Sequence, residues 1–396
     1  MTDLAAELVC SDVLPSIPEI RVGWLGHKSQ TIGDGLRTYS REVTAGLADR
    51  AEIVFIHHEK SLDDGRSSHA LHGHPAFQRR FTIAGTGDRS RLEGLLREHA
   101  VDVVHLSAPF STLDFRMPGI CHRLGIPIVA TFHVPFAREL STWGALSAGV
   151  YHLYARALAA CDRVIVLGEA QRLLLIALGV PEHLIVVLPN GVDTDKFTPG
   201  PSPALESLQA ERIFSFCGRV DPEKRVETLL QAFLQTSPPR TVRMVIVGEG
   251  VDLARLRRGY QDERIVFLGP VLNERTRIEI LRASDAFFLP SRVEALSLAL
   301  LEAMACGVAV AATGVGNHAE VLEGAGVLLR NAHLFDDLRS TIGSFIETPA
   351  LCRSLGARAR ARVVANFSLA AHLDGVVALY RELLLGSPAL AVQRAL

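Results

Sequence analysis

The sequence predicts an α/β protein with two doubly wound parallel sheets that face one another across a cleft. Short apolar runs, separated by helix-length segments, recur along most of the chain, and residues 189–203 divide this series into two. The runs are continuous rather than alternating, as in parallel strands covered by helices on both faces. We expect a first domain over 1–190, a second over 191–370, and a last helix within 370–396 that could return to the first.

Composition limits the class of protein. The 396 residues are 48% hydrophobic, which suits two cores better than one. The 41 basic and 43 acidic residues nearly balance, so nucleic acid is not an expected partner. The six cysteines lack C-x-x-C spacing and are typical of reduced thiols in a cytosolic protein.

Targeting and metal signals are weak. The amino terminus lacks the basic residues of a signal peptide, and no run reaches the roughly 18 apolar residues of a membrane span. We therefore expect a cytoplasmic protein, with peripheral contact at the inner face of the membrane as an open alternative. Histidines 69, 72 and 74 have no fourth ligand at a zinc-like spacing, so no metal site is predicted.

The first series has its strands at 20–25, 53–56, 101–106, 127–132, 163–167 and 184–188. A turn containing Gly33, Asp34 and Gly35 joins the first strand to a helix over 36–47, and such a corner tolerates an anion. Two later strands end near histidines, His105 and His133. A histidine at the carboxyl end of a parallel strand faces the ligand crevice, although a structural role for each is the alternative.

The second series has strands at 213–217, 242–247, 265–268, 286–289, 308–311 and 327–329, followed by helices over 351–364 and 369–385. Its first strand leads to Gly218 and Arg219, and Pro222 can occupy the first turn of the next helix. Arg219 and Lys224 then flank a helix start, a combination of fork and point charge that suits a diphosphate. Gly248 and Gly250 form a second corner of close approach.

The segment 291–320 follows the strand that ends before Pro290. Glu294 lies in the turn, Ser297 can cap the next helix, and Glu302 is the only polar residue between Leu298 and Ala305. A carboxylate on an otherwise apolar helix is costly unless hydrogen-bond donors meet it, and paired sugar hydroxyls are suitable donors. A partly exposed surface glutamate is the alternative.

Together these motifs resemble the retaining glycosyltransferases of family four, which have the GT-B fold of two Rossmann-like domains. The matching residues are Gly218-Arg219-x-Asp221-Pro222-x-Lys224, Val247-Gly248-x-Gly250, Pro290-Ser291-x-x-Glu294 through Glu302 to Gly307, and Pro189 to Asp193. They occur in the family's order over about residues 20–370.

The resemblance implies a nucleotide-activated sugar as donor, bound mainly by the second domain. Arg219 and Lys224 would hold the diphosphate, Glu302 the ribose hydroxyls and Glu294 the hydroxyls of the sugar. Backbone amides of Leu296, Ser297 and Leu298 would contact the phosphates, with the glycine corners at 218, 248 and 250 beside them. The turn Gly33-Asp34-Gly35 would close over the diphosphate, and His133 would lie near the transferred sugar.

Three positions depart from the family pattern. Ala295-Leu296-Ser297 stands where Gly-Phe-Gly is common, Asp34 replaces a glycine, and Asn317-His318 replaces part of a glycine-rich run. These changes leave the identity of the donor sugar open.

The resemblance implies transfer with retention of configuration and without a covalent intermediate. Cations and amides would stabilise the departing diphosphate, so neither a metal nor a further cofactor is expected. The acceptor carries a hydroxyl and would bind the first domain, with His105 and Arg138 as candidate contacts. Basic and apolar residues over 77–81 and 136–154 make a lipid-linked acceptor one alternative beside polysaccharide and small molecules. The oligomeric state is not predicted.

Two other function classes remain. A nucleotide-sugar 2-epimerase shares the paired-domain architecture but consumes no acceptor, and a non-catalytic nucleotide-sugar sensor would bind without turnover. A dinucleotide-dependent oxidoreductase is disfavoured because neither series contains G-x-G-x-x-G after its first strand.

Overall fold

A computed structural model describes residues 20–27, 35–58, 68–76, 81–134 and 142–386. Gly33, Asp34 and Arg138 lie outside the described residues, as do most of the segment 77–81 and the start of 136–154. The described chain forms one seven-stranded and one six-stranded sheet, and every strand pair in both is parallel. The predicted fold class is therefore confirmed.

The first lobe is built on the seven-stranded sheet, whose strand order is β3-β2-β1-β6-β7-β8-β9. Its strands are β1 (Ile20–Leu25), β2 (Ala51–His57), β3 (Ser68–Ala70), β4 (Gly73–Ala76), β5 (Phe81–Ala84), β6 (Val103–Ala108), β7 (Ile128–Phe132), β8 (Arg163–Val166) and β9 (Ile185–Val187), and its helices are α1 (Gly35–Gly46), α2 (Asp88–Glu98), α3 (Met117–Leu124), α4 (Thr142–Leu158) and α5 (Glu169–Ala177). The pair β4 and β5 forms a separate antiparallel hairpin, which the sequence analysis did not anticipate.

The second lobe is built on the six-stranded sheet, with strand order β12-β11-β10-β13-β14-β15. Its strands are β10 (Arg212–Cys217), β11 (Val242–Val247), β12 (Ile265–Gly269), β13 (Ser284–Leu289), β14 (Ala309–Thr313) and β15 (Val327–Leu329), and its helices are α6 (Ala204–Ser207), α7 (Val226–Gln235), α8 (Leu253–Gly259), α9 (Glu274–Ala283), α10 (Leu298–Ala305), α11 (His318–Leu322), α12 (Leu334–Glu347) and α13 (Pro349–Asn366).

Apolar strands explain both cores. Every residue of β7 and β14 is buried, as expected for central strands covered by helices on both faces. Among the described helices, none combines the length and apolar character needed to cross a membrane.

The two lobes are joined by two adjacent crossings of the chain. Val192, in the linker after β9, exchanges backbone hydrogen bonds with Phe367 and Leu369, each of 2.9 Å. The last helix, α14 (Leu369–Gly386), then packs on the first lobe, where Val376 and Tyr380 share a core cluster with Trp24. The described residues therefore both start, at β1, and end, at α14, on the first lobe.

One turn differs from the expected helix start. Residues Pro222–Lys224 form a short 3₁₀ turn, and α7 begins only at Val226. Arg225 between them has a left-handed φ of 51°, which interrupts a continuous right-handed helix. Lys224 consequently lies on a separate turn above the sheet rather than on α7.

Candidate functional site

The loops at the carboxyl edge of the second sheet pack directly on one another. The amide of Val220 donates to the carbonyl of Glu249 at 2.7 Å, which joins the loops after β10 and β11. The amide of Arg292 donates to the carbonyl of Glu223, also at 2.7 Å, and ties in the loop after β13. In a parallel sheet this edge is where ligands bind, so these bonds create a continuous floor for a site.

Glycine is required at two positions of this floor. Gly248 has a φ of 136°, and a Cβ there would lie 1.8 Å from the carbonyl oxygen of Gly218. Gly250 has a φ of 159°, and its Cβ would lie 2.4 Å from the carbonyl oxygen of Val220. The glycine corner at 248–250, which the sequence predicts to approach a ligand, therefore packs closely against the loop after β10.

Lys224 and Glu294 form an ion pair at the centre of this edge. The Ser291 hydroxyl donates to the same carboxylate at 2.7 Å. Burial raises the pKa of Glu294, but the Lys224 ammonium, nearby His318 and the hydrogen bonds from Lys224 and Ser291 outweigh it, so the net pKa lies below its ordinary value. Glu294 is thus held as a carboxylate by a cation 70 residues away in sequence.

Arg219 is paired with two carboxylates of its own loop, Asp221 and Glu223, the latter at 2.7 Å. Arg219 and Lys224 therefore face three carboxylates when Glu294 is included. A bound diphosphate must exchange with at least one of these carboxylates, because the five side chains already carry one excess negative charge. The structure brings Arg219, Lys224 and Glu294 to one edge, as the sequence predicts.

Glu302 lies on α10, apart from this cluster. It is 6% exposed. Its carboxylate is 3.4 Å from the guanidinium of Arg277 on α9. Burial raises the pKa of Glu302, against the opposing effect of Arg277. The helix begins as predicted, since the Ser297 side chain accepts a hydrogen bond from the amide of Leu300 at 3.4 Å. The amides at the start of α10, including Leu298, have no carbonyl within the helix to bind.

Arg277 also connects Glu302 to a network that bridges the lobes. Glu274 on α9 lies 3.5 Å from Arg277, 3.0 Å from Arg41 of α1 and 3.3 Å from Lys196 of the linker. Lys196 in turn contacts Glu42 of α1 at 2.9 Å. Three carboxylates of the network, Glu42, Glu274 and Glu302, line a cavity of about 20 Å³ between the lobes, enough for about one water.

His133 follows β7 at the edge of the first lobe that faces the cleft. It is 7% exposed, and the ring of Tyr39 meets it edge-on with centroids 4.3 Å apart. Burial lowers the pKa of His133 to about 3, so the imidazole is neutral at pH 7. Its Nε2 has no hydrogen-bond partner among the described residues. Gly35, the first residue of α1, is exposed.

His105 has a structural role in this geometry. It is fully buried, its Nδ1 is 2.6 Å from the Tyr380 hydroxyl, and its Nε2 is 2.8 Å from the Thr131 hydroxyl. The Trp24 ring also stacks on the imidazole at 4.1 Å. Because both nitrogens are occupied and no edge reaches the surface, the structure does not support the predicted contact of His105 with an acceptor.

Two family models match the chain. "Glycosyltransferase Family 4" matches residues 33–196, and "Glycosyl transferases group 1" matches residues 211–347, so that together they cover most of the sequence. The chain belongs to the group 1, family 4 glycosyltransferases. This family matches the resemblance carried by the sequence motifs.

Curated relatives of this glycosyltransferase include two named "D-inositol 3-phosphate glycosyltransferase". The protein from Nocardia farcinica is 31% identical over 56% of this chain and 53% of its own length. That from Segniliparus rotundus is 30% identical over 69% of this chain and 64% of its own length. The chain thus spans about half to two thirds of the length of these relatives.

Solved structures share the GT-B architecture of this glycosyltransferase. Sucrose-phosphate synthase from Thermosynechococcus elongatus superposes with a TM-score of 0.75 at 20% identity, covering 93% of this chain and 100% of that one. HepE of Anabaena, solved in complex with UDP and glucose, superposes with a TM-score of 0.71 at 16% identity, covering 91% and 99%. At these identities the likeness concerns the fold.

The sequence analysis missed Tyr39, Lys196 and Arg277. Tyr39 lies on the face of α1 that packs on the sheet, and nothing in its local pattern separates it from an ordinary core aromatic. Arg277 lies three residues after Glu274 on α9, a spacing at which helical side chains meet, and this is a weak signal for an ion-pair network. Nothing in the sequence around Lys196 indicates its ion pairs with Glu42 and Glu274.

Proposed function

We propose that the protein transfers a sugar from a nucleoside-diphosphate sugar to a hydroxyl acceptor with retention of configuration. The single observation that carries this proposal is the convergence of Arg219, Lys224 and Glu294 at the carboxyl edge of the second sheet. Two cations beside a carboxylate suit a diphosphate joined to a polyhydroxylated ring. HepE has been solved in complex with UDP and glucose and with UDP-glucose, which supports UDP-sugars as the first donors to test.

In the proposed complex, Arg219 and Lys224 neutralise the diphosphate, and Glu294 accepts hydrogen bonds from the sugar hydroxyls. Glu302 binds the ribose hydroxyls, and the amides of Leu296, Ser297 and Leu298 contact the phosphates. Neutral His133 is proposed to lie near the sugar, with an Nε2 that is buried and has no hydrogen-bond partner among the described residues. The glycine corners at 218, 248 and 250 shape the floor, and Gly35, the exposed first residue of α1, is a further candidate contact of the diphosphate.

The proposed reaction exchanges one bond at the anomeric carbon. The bond from this carbon to the phosphate oxygen breaks, the acceptor oxygen forms a bond on the same face, and the acceptor proton passes to the departing phosphate. Charge develops on the leaving diphosphate, where Arg219 and Lys224 stabilise it. These cations could supply the stabilisation that a metal ion provides elsewhere, so we propose transfer without a metal and without a resident cofactor.

The acceptor is proposed to bind at the first lobe. The name shared by the curated relatives makes an inositol phosphate the first acceptor to test. A lipid-linked hydroxyl, which would require contact with a membrane surface, is the second.

The test is a panel of nucleotide sugars with and without each acceptor, scored for released nucleoside diphosphate. The anomeric proton coupling of the product reports its configuration, and chelator added to a parallel reaction tests the need for a metal. We expect acceptor-dependent release, an unchanged anomeric configuration and no effect of chelator. Acceptor-independent conversion of the donor to its 2-epimer would establish an epimerase instead, and tight binding without release would indicate a sensor.

A further inference from the structure

Five buried side chains of the first lobe and α14 form one continuous chain of hydrogen bonds. His372 Nδ1 lies 2.8 Å from the carbonyl oxygen of Pro189, and its Nε2 lies 3.2 Å from the Tyr39 hydroxyl. That hydroxyl is 3.4 Å from the Thr131 hydroxyl. The chain continues from Thr131 to His105 and from His105 to Tyr380, over 2.8 and 2.6 Å.

The carbonyl of Pro189 determines which atom donates in each hydrogen bond of this series. A carbonyl only accepts, so His372 carries its proton on Nδ1, and its neutral Nε2 must accept from Tyr39. The Tyr39 oxygen is then free to accept from Thr131. Because Thr131 has a single proton, it must accept from Nε2 of His105, and Nδ1 of His105 accepts from the Tyr380 hydroxyl.

Burial keeps these histidines neutral, as the chain requires. His105 is fully buried and His372 is 2% exposed. Burial lowers the pKa of His372 to about 4 and that of His105 well below its ordinary value. A second proton on His372 would face the proton of the Tyr39 hydroxyl, and a second proton on His105 would face that of the Tyr380 hydroxyl, so either would place two donors against one another.

The hydrogen-bond chain touches the linker at its Pro189 end and His133 through its interior member Tyr39. Pro189 begins the linker between the lobes, and α14 follows the second crossing directly. Next to His372, the Tyr39 ring meets His133 edge-on with centroids 4.3 Å apart, while Nε2 of His133 has no partner within the described residues. The Tyr39 ring therefore packs against His133, while the Tyr39 hydroxyl is held by hydrogen bonds to His372 and Thr131.

We propose that these groups form a one-way hydrogen-bond relay, which makes Tyr39 a positioning residue for His133. The relay runs from Pro189 through His372, Tyr39, Thr131 and His105 to Tyr380. The relay joins the linker and the last helix to the imidazole expected beside the transferred sugar. This role rests on the proposed function, whereas the direction of the relay does not. His105 is then a member of the positioning relay rather than a contact of the acceptor.

The direction is tested by ¹⁵N NMR of the full chain labelled at histidine. The relay requires His372 protonated on Nδ1 and His105 protonated on Nε2 at pH 7, and the two tautomers have distinct ¹⁵N shifts. The signals are assigned by their loss in His372→Asn and His105→Asn. Either residue found in the opposite tautomer, or as an imidazolium at pH 7, would overturn the relay.

The positioning role is tested with Tyr39→Phe, which keeps the ring and removes the hydroxyl. We expect kcat for nucleoside diphosphate release to fall about tenfold, with KM for the donor changed less than about twofold, because small displacements of a reacting group are costly. Tyr154→Phe is the matched control, since Tyr154 is also buried and donates one hydrogen bond, to Asp114 at 2.9 Å on the opposite face of the sheet.

The control should lose a similar amount of thermal stability yet keep kcat within about twofold of the native value. Equal losses of kcat in both variants, or an unchanged kcat in Tyr39→Phe, would contradict the positioning role. If the tautomers are as expected but the native protein releases no nucleoside diphosphate from any donor, the proposed function fails and the relay stands.

Discussion

The carboxyl edges of the two sheets occupy equivalent places in similar lobes, yet their chemistry differs. At the edge of the second sheet, Lys224 pairs with Glu294 and Arg219 pairs with Glu223. At the edge of the first sheet, the described residues nearest the cleft include neutral His133, packed on Tyr39. One edge is organised by charge, and the other is organised by hydrogen bonds between neutral groups.

This difference indicates how the two edges can share one substrate. Paired charges at the second edge can exchange their partners for an anion, since the cations are already in place. Neutral donors and acceptors at the first edge suit hydroxyl groups, and they add no charge that would compete for the anion. In the proposed complex, the second edge holds the diphosphate and, through Glu294, the sugar hydroxyls, and the first edge adds neutral contacts to the same sugar.

The largest effect is expected from removing the central cation of the charged edge. Lys224→Ala should lower nucleoside diphosphate release about 100- to 1000-fold, because the departing phosphate loses one stabilising charge. It should also destabilise the fold by about 3 kcal/mol, since Glu294 is left buried without its cation. Steady-state release and chemical denaturation measure the two effects.

Arg330→Ala is the control for this variant, because it breaks an exposed ion pair with Asp337 in the same lobe. It should cost less than about 1 kcal/mol and leave release unchanged. Release by Lys224→Ala within tenfold of the native rate would remove the charged edge from the proposed mechanism.

Acid should weaken the neutral edge first. Burial lowers the pKa of His372 to about 4, so from pH 7.5 to pH 5 the unfolded chain binds a proton at this residue that the folded chain does not. Stability therefore falls with pH, by about 2 kcal/mol for this one group. Burial also lowers the pKa of His58 to about 4, so His58 likewise makes the folded state less stable as the pH falls. Burial raises the pKa of Asp114 to about 6, so Asp114 has the opposite effect on stability.

The free energy of unfolding of the native protein and of His372→Asn, measured at pH 7.5 and pH 5, isolates this group. The asparagine amide can still donate to Pro189 but does not titrate. We expect the native protein to lose about 2 kcal/mol more than the variant between the two pH values. The same loss in both proteins would contradict a neutral, buried His372. Glu294, whose pKa is lowered, adds its own loss only below its unfolded pKa.

A smaller effect is expected at Glu302. Glu302→Gln keeps the shape of the side chain but weakens two hydrogen bonds from the ribose, so KM for the donor should rise about tenfold with little change in kcat. Initial rates over a range of donor concentrations measure both constants. A fall in kcat with an unchanged KM would place Glu302 at the reacting bond instead of at the nucleoside.

The smallest effect is expected to be a gain. Glu223→Gln removes one of the two carboxylates that pair with Arg219, at 2.7 Å, and leaves Asp221 as the other, so a diphosphate competes with one carboxylate fewer. Affinity for the nucleoside diphosphate, measured by calorimetry, should rise about threefold at low salt, and the gain should shrink as salt screens the charges. Weaker binding would show that Glu223 supports the anion site in another way.

Much of the fold could be predicted because the strands carry their own signal. The apolar runs at 242–247 and 327–329 coincide with β11 and β15, and most other strands agree within two residues. Local turn chemistry also predicted the cap at Ser297. The hairpin of β4 and β5 was missed, since each strand has four residues and too little pattern to separate it from a loop.

The candidate site was predictable only in part. Spacing along the chain identified Arg219, Lys224, Glu294 and Glu302, because each lies in a motif next to a strand. Spacing could not predict that Lys224 pairs with Glu294, 70 residues away, or that Arg277 pairs with Glu302. Those partners depend on which loops the strand order places side by side.

The sequence by itself determined the alternation of strands and helices, the two sheets and the charged character of the second edge, since these depend on neighbouring residues. Tertiary structure alone decided the role of His105, because this histidine lies inside β6 rather than at its end and bonds a tyrosine 275 residues away on α14. The physical reason is that buried polar groups must find partners, and a long-range partner exists only once the chain has folded.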